Sequence, residues 1–275
     1  MTCCAPARLC ALPSVCTIHL TQTARYLQAK TAALRDWIAR NALGKYRGVI
    51  VAVQEARRAA LAEFCGGRVR TRTIFNGVPL VDRAKFQCVR EVTRNALGIS
   101  AADFLVLGVG RLVERKSPFI FLKAAQKLHR RLPAARFLWV GDGKLAGEWD
   151  EWIARERMES VISRAEWQTD TLPFLLAGDL RLHVAAYEGV PFAIIEAMAA
   201  GLPCVVTRDF ASEVPIFDDR SVLFLDDTAE LADRIRNQTK LSSIAKGGRQ
   251  LVERAFSLGA MAAAYEQLYR ETARK

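Results

Sequence analysis

The 275-residue sequence holds no apolar run of bilayer-spanning length that is free of charges and breakers, so nothing in it reads as a membrane-crossing helix. It contains no CxxC pair. Cys3, Cys4, Cys10 and Cys16 cluster near the start with only His19 close by, a pattern that lacks the ligand spacings zinc requires. Cys65 in "AEFCGG" has no resolving cysteine after it, and the seven cysteines read as reduced thiols. The opening residues, with one Arg8, scattered cysteines and Pro13, make a poor signal peptide. The expected location is therefore cytoplasmic. The net charge is +11, yet no zinc finger, basic zipper or aromatic–basic RNA motif accompanies it. The basic residues are spread along the chain, which argues against nucleic acid and suits an anionic small substrate or an acidic membrane face. Repeats and low-complexity segments are absent as well.

What is present is an alternation of strand-like and helix-like runs. "SVCTIH" (14–19) and "GVIVAV" (48–53) are short apolar strands. A long basic helix is expected between them, over about 23–43, and "EARRAALAEF" is helical up to Gly66-Gly67. "RTIFNGV" (72–78) reads as a strand ending in an Asn-Gly turn, followed by a polar connector over about 81–102. Six further strands follow: "FLVLGVG", "ARFLWVG", "SVIS", "LRLHVAA", "PCVVT" and "SVLFL". Ser117 is expected to cap a helix that has Pro118 at its first position. The helix after Pro191 is expected to end in a left-handed cap at Gly201. Three helices close the chain, the last opening at Ser257. Continuous apolar strands separated by helices mean parallel sheets covered on both faces. The fold class is α/β with two Rossmann-like domains. The first covers 1–80 and the second 81–256. Ligands of open parallel sheets bind beyond the carboxyl ends of the strands. That places candidate sites in the loops after His19, Gly110, Gly141 and Ala186.

"YEGVPFAIIEAMAAGLPCVV" (187–206) is almost wholly apolar, yet it contains Glu188 and Glu196. A buried unpaired carboxylate costs several kcal/mol, comparable with the ~5–15 kcal/mol that holds a domain together. Something polar has to meet these groups, or they reach water. Gly189 permits close backbone approach, and Pro191 pre-sets the first helical turn. The N–H groups of Phe192, Ala193 and Ile194 then lack intrahelical partners. In the loop after "FLVLGVG", Arg111 and Lys116 lie beside a second helix start. Cations beside a helix mouth suit a diphosphate, and carboxylates suit neutral hydroxyls such as a sugar or a ribose diol. The plainer alternative is that Glu188 caps its helix and Glu196 pairs with a basic residue elsewhere.

These residues resemble the retaining, family 4 (group 1) glycosyltransferases with the two-domain B-type fold. The resemblance rests on "EGVPFAIIEAMAAGLPCVVT" together with "IFNGV", "GVGRLVERKSP", "FLWVGDG" and "FSLGAMAAAYEQLYRE" in that order, supported by "VIVAVQEARRAAL" and "SVCTIH", over about residues 13–273. It implies transfer of a sugar from a UDP-, GDP- or ADP-sugar to an acceptor hydroxyl, with retention, no cofactor and no essential metal. Arg111 and Lys116 match the residues that neutralise the leaving diphosphate. Glu188 matches the carboxylate on the donor sugar, Glu196 the one on ribose, and His19 a histidine near the transferred sugar. Gly110, Gly141, Gly189, Val190, Pro191, Phe192, Ala193 and Ile194 fall in the matching donor-binding segments. The implied products are cell-surface polysaccharide, lipopolysaccharide or glycolipid, and the implied acceptor is a carbohydrate or a lipid-linked one.

The sequence departs from the family pattern at Lys116-Ser117, where Lys-Gly is usual, and at "VAAY" before Glu188, where Pro-Ser is usual. The early strands and glycine-rich loop of the family's first domain have no counterpart before "SVCTIH", so that domain is expected to be truncated. Three readings of this stay open: a piece of a longer protein, a chain completed by a partner chain, or a nucleotide-sugar binder without turnover. A sugar-nucleotide epimerase is a further alternative. The basic stretch 23–47, with Leu27, Leu34, Trp37, Ile38 and Leu43 among its cations, reads either as a solvated helix face or as a surface for an anionic membrane. In the second case the protein would be peripheral on the inner face of the plasma membrane.

Overall fold

The structure, a computed structural model, describes residues 13–19, 30–185 and 192–274. The chain divides into two compact units, one formed by residues up to Gly77 and from Ala255 onward, the other by Val78–Arg254.

The first unit has a three-stranded parallel sheet in the order β1 (Val15–Ile18), β2 (Val49–Ala52), β3 (Arg70–Thr73). The register sets Val15 against Val49 and Val49 against Arg70. β2 is buried along its whole length, as a central parallel strand should be. Helices α1 (Ala32–Gly44) and α2 (Glu55–Phe64) supply the crossovers. The last helix of the chain, α11 (Leu258–Ala273), belongs to this unit: Leu268 is buried with Val49, Val51 and Ile74, and Met261, Ala264 and Tyr265 pack around them. The expected strand over 72–78 is instead centred earlier, on "RTRT", where exposed and half-buried residues alternate.

The second unit has a six-stranded parallel sheet: β4 (Phe104–Val109), β5 (Ala135–Val140), β6 (Ile162–Ala165), β7 (Leu180–His183), β8 (Cys204–Val206) and β9 (Leu223–Phe224), in the order β6-β5-β4-β7-β8-β9. The chain leaves β4 in one direction through α4 (Pro118–Arg131), β5, α5 (Ala146–Glu156) and β6. It then returns through α6 (Leu172–Ala177) to β7 on the other side of β4 and continues through α7 (Phe192–Ala199), β8, α8 (Arg208–Glu213) and β9. The topological switch point therefore lies between β4 and β7, where open α/β sheets take their ligands. There β4 and β7 are in register only at Val106–Leu180 and Leu107–Arg181, although β4 continues to Val109 and β7 to His183. α9 (Thr228–Arg236) and α10 (Gln238–Leu251) complete this unit.

Three expectations are corrected. The stretch 81–102 is no connector: it forms a 3-10 turn (Arg83–Phe86) and helix α3 (Gln87–Ala96), locked down by arginines. Ser117 does not cap α4 through its side chain. It sits in the left-handed region at φ 50°, and Pro118 opens the helix as expected. The short α8 lies where no helix was expected. Gly201 does adopt the left-handed cap after α7, at φ 70°, with its N–H bonded to Met198 O and that of Leu202 to Ala197 O.

Candidate functional site

Two loops at the carboxyl edge of the second sheet are clamped together. Gly110 N–H donates to Val140 O at 3.0 Å, Trp139 Nε1–H to Gly110 O at 2.8 Å, and Leu112 N–H to Asp142 O at 2.9 Å. An ion pair between Glu114 and Lys144 at 2.8 Å joins the loops again on the outside. The contact depends on Gly141. Its φ is 134°, and a Cβ there would lie 2.2 Å from Gly110 O. The clamp fixes the backbone that carries the two basic residues. Arg111 is exposed. Lys116 is half-buried, and its aliphatic stem crosses over Gly110, 3.3 Å from where a Cβ would stand.

On the other side of the switch point, α7 begins at Phe192. Phe192 is exposed, Ala193 half-buried and Ile194 fully buried. Their N–H groups open the helix and have no partner within it. Glu196 lies one turn further in and is half-buried; among the described residues its carboxylate has no hydrogen bond or ion pair. Burial raises its pKa; the charge of Arg181 pulls the other way, and that of Asp170 adds to the rise. Glu188, Gly189, Val190 and Pro191 lie outside the described residues. His19 is exposed at the end of β1, on the first unit.

Two residues at the switch point were not anticipated. Arg181, 1% exposed, fills the gap where β4 and β7 part. Its Nη1 donates to Leu107 O at 2.8 Å and Leu182 O at 2.5 Å, and its Nη2 to Val109 O at 3.0 Å. The carbonyls that β7 no longer pairs are thus taken by a guanidinium. Nη2 also faces His183 Nδ1 at 3.5 Å. The His183 ring is 2% exposed and packs edge-on to Phe210, centroids 4.4 Å apart. Desolvation holds its pKa well below 6.5, and the charges of Arg181 and Lys116 act in the same direction. The signal was in the sequence: "LRLH" puts a cation and an imidazole into a strand that otherwise reads as core.

Among the described residues no group of His, Cys, Asp and Glu side chains is arranged to hold a metal ion, and no helix is long and apolar enough to cross a membrane. Cys65, Cys88 and Cys204 are free thiols.

The glycosyl transferases group 1 family model matches residues 103–240, half of the chain and all six strands of the second sheet. The chain belongs to this family. One relative of this chain is the UDP-Gal:alpha-D-GlcNAc-diphosphoundecaprenol alpha-1,3-galactosyltransferase of Escherichia coli, 26% identical over 208 residues, which are 74% of this chain and 53% of that protein. Another is the lipopolysaccharide core biosynthesis glycosyltransferase LpsE of Rhizobium meliloti, 29% identical over 184 residues, 64% of this chain and 53% of that protein. The chain thus spans about half the length of these curated relatives. Among solved structures, Anabaena HepE in complex with UDP-glucose superposes with a TM-score of 0.76 at 19% identity, covering 99% of this chain and 75% of that one. WaaG, a glycosyltransferase involved in lipopolysaccharide biosynthesis, gives 0.73 at 17%, covering 93% and 75%. These likenesses establish the B-type glycosyltransferase fold.

Proposed function

We propose that this glycosyltransferase moves a sugar, with retention, from a nucleoside diphosphate sugar to an acceptor hydroxyl in the synthesis of a cell-surface glycan, lipopolysaccharide or glycolipid. The observation that carries the reading is Glu196: a half-buried carboxylate without a partner among the described residues, beside the switch-point crevice. A ribose diol would supply the two donors it lacks. Leaving-group departure builds negative charge on the diphosphate, and preorganised cations are the usual device for stabilising it. Arg111, Lys116 and the open N–H groups of α7 take that role, with no metal. Glu188 on the donor sugar and His19 on the transferred sugar are assigned by family resemblance alone. UDP is the first base to try, since HepE is solved with UDP-glucose and the Escherichia coli relative is named for UDP-Gal.

Thermal unfolding with UDP, GDP and ADP, on wild type and Glu196→Ala, tests this. A ligand at 100 times its Kd adds about 2.7 kcal/mol, a shift of a few degrees. A shift with one nucleotide, absent in a variant that still folds, supports the donor site. No shift with any of them in a cooperatively folded chain refutes it. Donor affinity without hydrolysis or transfer would make the chain a binder only, and release of an epimerised sugar would make it an epimerase.

A second reading has its own observation. Leu34, Trp37 and Ile38, at helical spacing on one face of α1, are 57%, 63% and 50% exposed. Lys30 precedes the helix and Lys45 ends it. Lys45 also lines a cavity of about 400 Å³ with Arg47, Arg68 and Arg70, and no acidic residue lines it. Apolar side chains between cations suit an anionic bilayer surface, where a lipid-linked acceptor would lie. Cosedimentation should occur with phosphatidylglycerol vesicles and not with phosphatidylcholine, and Trp37→Ala with Lys45→Glu should reduce it. Equal binding to both lipids, or none, removes the membrane role.

A further inference from the structure

The two ring nitrogens of His183 are in different situations. Nδ1 faces a guanidinium, which only donates, so Nδ1 must accept. In a neutral imidazole the proton then sits on Nε2. The ring is neutral because it is buried beside two cations. Nε2–H is therefore a donor, and among the described residues it has no acceptor. Burying such a donor costs stability, whereas a leucine in its place would cost nothing of the kind. The group stands at the last residue of β7, at the carboxyl end where β4 and β7 have parted, within range of the Lys116 charge.

We propose that His183 is a phosphate-binding residue whose Nε2–H donates to an oxygen of the diphosphate at the Gly110–Lys116 loop, with Arg181 the positioning residue that fixes the required tautomer. A phosphate oxygen only accepts, so the opposite tautomer would present it with a lone pair. The exposed Arg111 and half-buried Lys116 supply charge on flexible stems. The enclosed imidazole supplies direction, since Arg181 and Phe210 hold its ring. Phosphate as the ligand follows from the crevice and its cations; that the phosphate belongs to a nucleotide rests on the function proposed above.

The test is isothermal titration of the full chain with UDP, uridine and inorganic pyrophosphate, using wild type, His183→Leu and His183→Gln. His183→Leu is expected to weaken UDP and pyrophosphate by about tenfold or more, the scale of a charge-assisted hydrogen bond. It should leave uridine unchanged and melt no lower than wild type. His183→Gln, whose amide N–H reaches to where Nε2 lies, should recover part of the loss. Nitrogen-15 NMR of wild type should show the Nε2–H tautomer at His183, identified among three histidines by its loss in His183→Leu, and pyrophosphate should shift it. Unchanged UDP and pyrophosphate affinity in His183→Leu, an equal loss of uridine, or an Nδ1–H tautomer would overturn the proposal. A wild type that binds pyrophosphate but no nucleotide would sink the nucleotide reading, and the His183→Leu comparison on pyrophosphate would still decide the residue's role. Binding of none of the three probes overturns both.

Discussion

Glu196 is held where its charge works against the fold. Its carboxyl keeps a proton to higher pH in the folded chain than in the unfolded chain, where the ordinary value of 4.5 applies. A group with a raised folded pKa favours the folded state at low pH, and that advantage is lost as pH rises through the raised value. Glu196→Gln removes the loss. The variant should melt above wild type near about pH 7, and the two should converge near about pH 4. Its nucleotide affinity should fall at the same time, because an amide offers one acceptor oxygen where the carboxylate offers two. Melting curves at the two pH values, with and without UDP, check both halves. A variant less stable than wild type near pH 7 would mean that Glu196 has a structural partner. Gly141→Ala is the opposite kind of change. The backbone conformation there costs a side chain about 1–3 kcal/mol, and the Cβ would press on Gly110 O. Melting temperature and UDP affinity should drop together, since the strain lands on the clamp that carries Arg111 and Lys116.

Among the elements, α3 shows where sequence reading stops. Its buried side is built from arginines and not from apolar residues, so hydrophobic periodicity passes over it. Arg90 and Arg94, one turn apart, reach Asp179 at 2.5 and 3.0 Å, and with Arg83 they take carbonyls at the end of α6. Asp179 also accepts from Leu105 N–H at 2.8 Å, which ties the start of β4 to the same anchor. Asp179→Ala should cost about 3 kcal/mol in urea denaturation, the low end for a broken buried pair because the carboxylate is 20% exposed. UDP affinity should not change, because this anchor sits at the amino end of the sheet, away from the crevice. A loss under about 1 kcal/mol, the usual worth of a surface pair, would show the arginines to be solvated. Most strands of the second sheet were legible as short, mainly apolar runs, although β6 (Ile162–Ala165) and β7 (Leu180–His183) carry polar residues. The six-residue α8 is too short for any period to show. At the site, Gly110, Arg111, Lys116 and Glu196 could be read from loops and from carboxylates out of place. Arg181 and His183 could have been found by that same argument, but the apolar residues around them read as an ordinary core strand.

For the whole molecule, the division into two units makes unequal demands on the chain. Val78–Arg254 is one continuous stretch with its own six-stranded sheet and its own core, from Leu112 and Phe121 through Trp149 to Ile244. The other unit is assembled from both ends of the chain. Leu268 of α11 completes the cluster with Val49, Val51 and Ile74, and Thr17 Oγ1 lies 2.8 Å from Tyr265 Oη across β1 and α11. A chain ending at Arg254 should therefore lose the first unit and keep the second. Three large side chains, Met261, Tyr265 and Leu268, leave that small core with α11, and each such loss costs about 2–5 kcal/mol, enough to unfold a unit of this size. Gly110, Arg111, Lys116, His183, Ile194 and Glu196 all belong to the surviving unit. The excised Val78–Arg254 segment should then unfold cooperatively and bind UDP with the affinity of the intact chain, while sugar transfer, for which the proposed function invokes His19, should be lost. Retained UDP affinity would place the whole nucleotide site on one unit. A folded segment that no longer binds UDP would mean the first unit supplies donor contacts, and the assignment of ribose and diphosphate to residues of the second unit alone would have to be given up.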